Sequence, residues 1–226
     1  MKRRRNFVLA ILFVLLMVGL AVAFRPKTEK PEPVYKGRRL SQWAEATEQR
    51  RVSAAEMADV IKAMGTNGIP TYIDWIGYSP GAMERAKVYL AAISRRWLHS
   101  KWDPSEQYKL RARAGLSALV SLGEKAEPAI PQLVSLAIRF PAPSSSYSAP
   151  PDDGWQGFEG LRSIGQPAMP AFLSLMEHGN AEVRAFAIAS SQHLLWNTSV
   201  LERVKMLLQD PDPKVRTVAT KALSPY

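Results

Sequence analysis

Three times in this chain a glycine is followed, within eight residues, by an apolar residue and a proline. The junctions are Met64-Gly65…Ile69-Pro70, Leu122-Gly123…Ile130-Pro131 and Ile164-Gly165…Met169-Pro170. Each constrains the backbone sharply. Proline has a fixed φ and no N–H, so it fits the first turn of a helix and not its interior. Glycine reaches positive φ at no steric cost and commonly stands just past a helix end. A glycine in the left-handed conformation is therefore expected to end one helix and a proline to open the next, giving tight antiparallel pairs. The apolar residue before each proline is expected to pack back on the core.

The stretches between junctions carry helical periodicity. Val215, Val218, Ala219, Ala222 and Leu223 line one face, with Lys214, Arg216 and Lys221 elsewhere, and Val183, Phe186, Ala187, Ser190 and Leu194 repeat the pattern. From Leu40 onward no strand pattern emerges. The spacing predicts an all-α fold of about eleven helices, over 40–50, 53–64, 68–77, 82–100, 104–122, 125–139, 154–164, 167–178, 180–195, 198–209 and 212–223. Two helices open alike, with Asn180-Ala181-Glu182-Val183-Arg184 and Asp212-Pro213-Lys214-Val215-Arg216 lying 32 residues apart. Asn or Asp there caps the helix, the valine enters the core, and the arginine is expected to stay at the surface. Trp75, Trp155 and Trp196 are expected in the core between helix pairs.

The cap-x-x-Val-Arg start followed by small residues (Val215-Arg216-Thr217-Val218-Ala219) and the Gly…Pro turn resemble HEAT repeats. The resemblance runs from Ser53 to the C-terminus, most clearly over 104–223. Gly37-Arg38-Arg39-Leu40-Ser41-Gln42-Trp43 is similar to a segment that opens the domain in membrane-anchored bacterial envelope proteins of this kind. The resemblance implies an armadillo-like, right-handed α-α superhelix with a binding or assembly role and no shared catalytic residues. Residues 40–226 would hold four to five units of ~40 residues, above the roughly three that a stable stack needs.

Ahead of this body lies a targeting pattern. Lys2, Arg3, Arg4 and Arg5 precede an uncharged run from Phe7 to Phe24 that holds thirteen Leu, Ile, Val or Phe residues. Each favours insertion by roughly 0.3–0.6 kcal/mol at a helix centre, and the run spans about 27 Å as a helix. Residues 1–24 thus read as a signal anchor, or as a signal peptide cut after Ala21-Val22-Ala23; the length of the run favours the anchor. The basic cluster should remain cytoplasmic, which makes the chain a single-pass inner-membrane protein with a periplasmic domain. Cleavage near Ala23 would instead release it into the periplasm. Residues 25–39, with three prolines and many charges, read as an extended linker, and 40–226 as the solenoid, interrupted by a flexible Pro/Ser-rich loop at 141–153. The chain has no cysteine, so disulfides and thiolate chemistry are absent.

No catalytic constellation emerges. His99, His178 and His193 have no histidine partner at metal-ligand spacing, and neither a phosphate loop nor a nucleophile elbow occurs. Glu56 and Asp59 read as a solvated face, Asp152 and Asp153 as loop acids, and Gly154 to Gly160 as a close-packing helix start. Asn197-Thr198-Ser199 reads as a loop and helix cap. Neither cofactor nor metal is expected. The candidate partner-binding residues are Arg95, Arg96, Trp97, Lys101, Trp102, Arg111 and Arg113, with Tyr108 and Lys109 among them. Cations interleaved with aromatics suit phosphates, glycans or acidic proteins, while the reading that the sequence favours has Trp97 and Trp102 plug a joint between repeats with the charges solvated. The expected function is a non-catalytic scaffold holding a protein or envelope polymer at the membrane. The alternatives are a nucleic-acid-binding or base-repair protein, motivated by the +6 charge outside the targeting segment, and a lyase- or transferase-type enzyme. The compartment argues against nucleic acid.

Overall fold

The computed structural model describes residues 31–78, 89, 91, 106–139 and 153–224. The run 7–24, most of the helix expected over 82–100 and nearly all of the 141–153 loop lie outside them. Among the described residues no helix is long and apolar enough to cross a membrane.

The described chain is mostly α-helical. A short hairpin, β1 (Val34–Tyr35) and β2 (Arg38–Arg39), leads into α1 (Leu40–Glu48), α2 (Ala54–Met64) and α3 (Ile69–Ile76). Then follow α4 (Glu106–Leu122), α5 (Ile130–Arg139), α6 (Asp153–Ile164), α7 (Met169–Leu175), α8 (Ala181–Ser190), α9 (Thr198–Met206) and α10 (Pro213–Leu223). The packing is orderly: α3 lies on α4, α4 on α6, α5 and α8 on α6, and α10 on α8, with α1 and α2 also against α4. One apolar cluster runs through all of it, from Leu40 through Leu119, Leu133 and Phe172 to Val215.

The junctions explain this order. Gly65, Gly123 and Gly165 have φ of 55°, 54° and 80°. At Gly65 and Gly165 the accompanying ψ is −140° and −133°, so these residues occupy the mirror image of the extended region rather than the left-handed helical well that the sequence suggests. A 3₁₀ turn follows each glycine, over Gly65–Gly68, Gly123–Ala129 and Gln166–Ala168, before the proline-containing α-helix begins. Ile69 is buried, and Ile130 and Met169 pack half-buried on the core. The expected helix over 125–139 accordingly starts α-helical only at Ile130, because Pro128 lacks the N–H an α-helix would need. The expected 180–195 helix likewise ends at Ser190 and tightens into a 3₁₀ turn over Gln192–Leu194.

Elsewhere glycine serves proximity. A Cβ on Gly157 would meet the Ala137 nitrogen at 2.6 Å and the Leu133 carbonyl at 2.8 Å, so α5 and α6 touch backbone to backbone. Of the three tryptophans expected in the core, Trp75 is buried, but Trp155 is 43% and Trp196 67% exposed. Trp155 opens α6 and Trp196 precedes the cap of α9, positions at helix ends where little of the described chain stacks over them. Tyr72 is fully buried with no partner for its hydroxyl among the described residues, and burial pushes its pKa up to about 12.

Two substitution tests follow. Gly65→Ala and Gly165→Ala should each lower stability in chemical denaturation by about 1–3 kcal/mol, from backbone strain alone, since no described atom lies within 4 Å of where either new methyl group would stand. Gly179→Ala, with equal space and no positive φ, should be near neutral. Tyr72→Phe should be neutral or stabilising by up to about 1 kcal/mol, because it deletes a buried donor that has no acceptor among the described residues.

Candidate interaction surface

Of the cluster proposed from sequence, Arg95, Arg96, Trp97, Lys101 and Trp102 lie outside the described residues. Within the described part, Arg111 and Arg113 do not share a face. Arg111 and Arg113 sit two residues apart on α4, which turns them about 200° from one another. Arg113 is exposed and lies 3.6 Å from Glu48 of α1, at the rim of a small cleft. That cleft measures about 160 Å³ and has an apolar floor of Met57, Ile61, Leu110 and Ala114. Lys109 lies 3.9 Å from Glu106 on its own helix, and Tyr108 stacks on Tyr78 with ring centroids 4.3 Å apart. Tyr108 therefore clamps α4 to the end of α3. Sequence adjacency joins side chains that the helix separates.

A tighter arrangement joins α8 to α10. Asn180 and Asp212 each accept the N–H two residues on, both at 2.8 Å, and Val183 and Val215 are fully buried. Arg216 is exposed, as expected, and Arg184 is where expectation fails. The Arg184 side chain is only 13% exposed, and its Nε and Nη2 donate to the two carboxylate oxygens of Asp210 at 2.8 and 2.7 Å. Its Nη1 donates to the carbonyls of His178 and Gly179. Arg216 uses its own Nη1 in the same way, on the carbonyls of Asp210 and Pro211. Asp210 also accepts from the Asp212 N–H, and Lys214 of α10 pairs with Glu182 of α8. The Arg184 guanidinium holds the Asp210 carboxyl below its ordinary 3.8. A bidentate guanidinium–carboxylate pair out of water is geometrically exacting, so this lattice sets the register of α10 on α8.

The third feature is the corner made by the hairpin and α1. Lys36 and Gly37 both have positive φ, 48° and 74°, as a two-residue hairpin turn requires. Val34 pairs with Arg39 and Tyr35 with Arg38. The Trp43 Nε1 donates to the Tyr35 carbonyl at 3.1 Å, Lys36 lies over the Tyr35 ring at 5.4 Å, and Arg38 lies over the Trp43 ring at 5.3 Å. Glu32 and Pro33 accept the N–H groups of Ser41 and Leu40, and Leu40 is fully buried. The end of the segment read as an extended linker is thus folded onto the domain. Gly37 to Trp43 carries the signal for this corner; the pairing of its cations with its aromatics is not legible in that segment.

The other residues singled out have local duties. Glu56 accepts from the Ser53 N–H and hydroxyl in a capping box, which holds its carboxyl below the usual range. His193 packs edge-on against Phe172, and burial lowers its pKa. His178 Nδ1 accepts the Asn180 N–H, and Asn197 caps α9. His99 and Asp152 lie outside the described residues, among which no three His, Asp or Glu side chains gather as a metal site. No protein-family model matches the chain, and no curated protein matches it.

The Arg184–Asp210 pair yields a signed prediction. The folded pKa of Asp210 lies below its unfolded value, so its contribution is complete above the unfolded pKa and disappears as pH falls through the folded one. Asp210→Asn should cost about 3 kcal/mol at neutral pH by stranding a buried guanidinium. That difference from the parent chain should shrink in denaturation series run below the ordinary carboxylate pKa. Glu48→Gln, which breaks only the exposed pair with Arg113, should cost less than about 1 kcal/mol at any pH.

Proposed function

We propose that this chain is a membrane-tethered interaction scaffold. A HEAT-like helical stack stands on the outer side of the inner membrane, held by residues 7–24, and binds a protein or an envelope polymer. The observation that carries this reading is the order of packing, in which α4, α6, α8 and α10 each lie on the next while α5, α7 and α9 alternate with them in sequence. A helix-pair stack is built in that way. The three glycine–proline junctions and the matched Arg184 and Arg216 contacts support it. Such a stack offers a broad, rigid face, and an anchor raises the local concentration of whatever that face holds.

Protease accessibility of a C-terminally tagged full-length chain tests the topology. Osmotic shock is expected to expose the tag to protease while the protein stays with the membranes. Release as soluble protein would show a cleaved signal. Protection until the inner membrane is broken would invert the topology and bring forward the nucleic-acid reading, with its steep salt dependence.

A further inference from the structure

The charge of this chain is unevenly placed. Of the net +10, Lys2 to Arg5 supply +4, and residues 25–39 supply another +4, from six cations against Glu29 and Glu32. The remaining 187 residues, 40–226, carry 20 Lys/Arg against 18 Asp/Glu, a net of only +2. The helical body is nearly neutral, and the basic excess sits between the proposed anchor and that body. Lys36, Arg38 and Arg39 fall in the one part of this segment that is described as folded, and all three are exposed. No acidic residue occurs from Val34 to Arg39.

We infer that the hairpin corner of Val34, Lys36, Arg38 and Trp43 is a contact site for the anionic phospholipid surface around the anchor. The inference rests on the anchor proposed above. Three features of the corner fit lipid. Its cations match phospholipid phosphates. Val34 is 61% exposed, an apolar side chain beside those cations. Tyr35 and Trp43 are the side-chain types found at the headgroup level; here both are half-buried on the core and back the exposed cations and Val34. Proximity supplies the rest. Phe24 ends the apolar run and Glu32 is already bonded to α1, so the seven residues between them let the corner stand no more than about 30 Å from the bilayer. The Trp43 hydrogen bond to Tyr35 fixes the hairpin to α1, so contact at the corner would orient the whole stack, not only a tail. Each cation brought to an anionic surface strengthens binding by roughly fivefold, and that gain weakens with salt.

Because the chain has no cysteine, a single Val34→Cys substitution can carry a nitroxide label. The full-length protein would be reconstituted in phosphatidylcholine vesicles, and in vesicles with roughly one-third phosphatidylglycerol, a mixture chosen to supply anionic headgroups. Thr217→Cys on α10 serves as the remote control. Shielding of the Val34 label from a water-soluble relaxation agent is expected in the anionic vesicles alone. It should diminish at high salt and in the background of Lys36→Glu, a change at the hairpin tip that leaves the Arg38–Trp43 contact in place. Equal accessibility in both lipids, or shielding indifferent to salt, overturns the proposal. Alkaline carbonate separates the two ideas. If it strips the chain from both vesicle types, the anchor reading fails. The label then reports, by the same criteria, whether the stripped chain still binds added anionic vesicles through this corner.

Discussion

Everything in this fold depends on reversing the chain between helices in a few residues without leaving polar backbone groups buried. A helix that ends in the core must satisfy its last carbonyls and re-aim the chain at once. At Gly65 and Gly165 the solution is a backbone conformation in the mirror-extended region, which a Cβ makes costly, followed by a 3₁₀ turn and a proline whose missing N–H is not needed. The partner helix can then lie directly alongside. Where the approach is closest, between α5 and α6, Gly157 removes the last obstacle. Backbone chemistry at a handful of positions thus determines where the apolar faces meet, and burial of Leu133, Leu161 and Phe172 supplies roughly 1.5–3 kcal/mol per side chain once they do.

The second constraint is register. The apolar face of α8, built from residues such as Val183, Ala187 and Ile188, does not by itself fix where along it a neighbour lies. Arg184 and Asp210 do: the fork of a guanidinium meets both carboxylate oxygens in one alignment only. Asp210 also accepts the N–H of Asp212, which in turn caps α10, so the alignment of the pair and the start of the helix are set by one carboxylate. A buried ion pair adds little net stability over an apolar substitute, and its value here lies in specifying one arrangement.

What can be read from the sequence is what acts locally. Caps at Asn180, Asn197 and Asp212, and helix openings at Pro70, Pro131 and Pro170, depend on neighbours within four residues and are legible from them. Arg184 reads as a surface residue because its partner lies 26 residues away, out of reach of any local pattern. Trp155 and Trp196 read as core because they are large and apolar, yet such a side chain at a helix end need not find a neighbour. Arg111 and Arg113 illustrate the converse: closeness along a helix is not closeness in space, since two residues turn the side chains about 200° apart. The hairpin is hidden because Lys36 adopts a positive φ, a conformation that propensity assigns to glycine or asparagine.

The two ends of the helical array differ in a way that bears on how it could work. Ala185 and Ile188 on α8 are buried. Thirty-two residues on, at the matching positions of α10, stand Thr217 and Thr220, both exposed, with hydroxyls donating back to the Pro213 and Arg216 carbonyls at 2.8 and 2.9 Å. At these positions α10 presents hydroxyls where α8 presents apolar contact. The opposite end presents cations, aromatics and an exposed valine. An array with one polar end and one basic, aromatic end is a polarised object, and a surface that attracts the second end orients it.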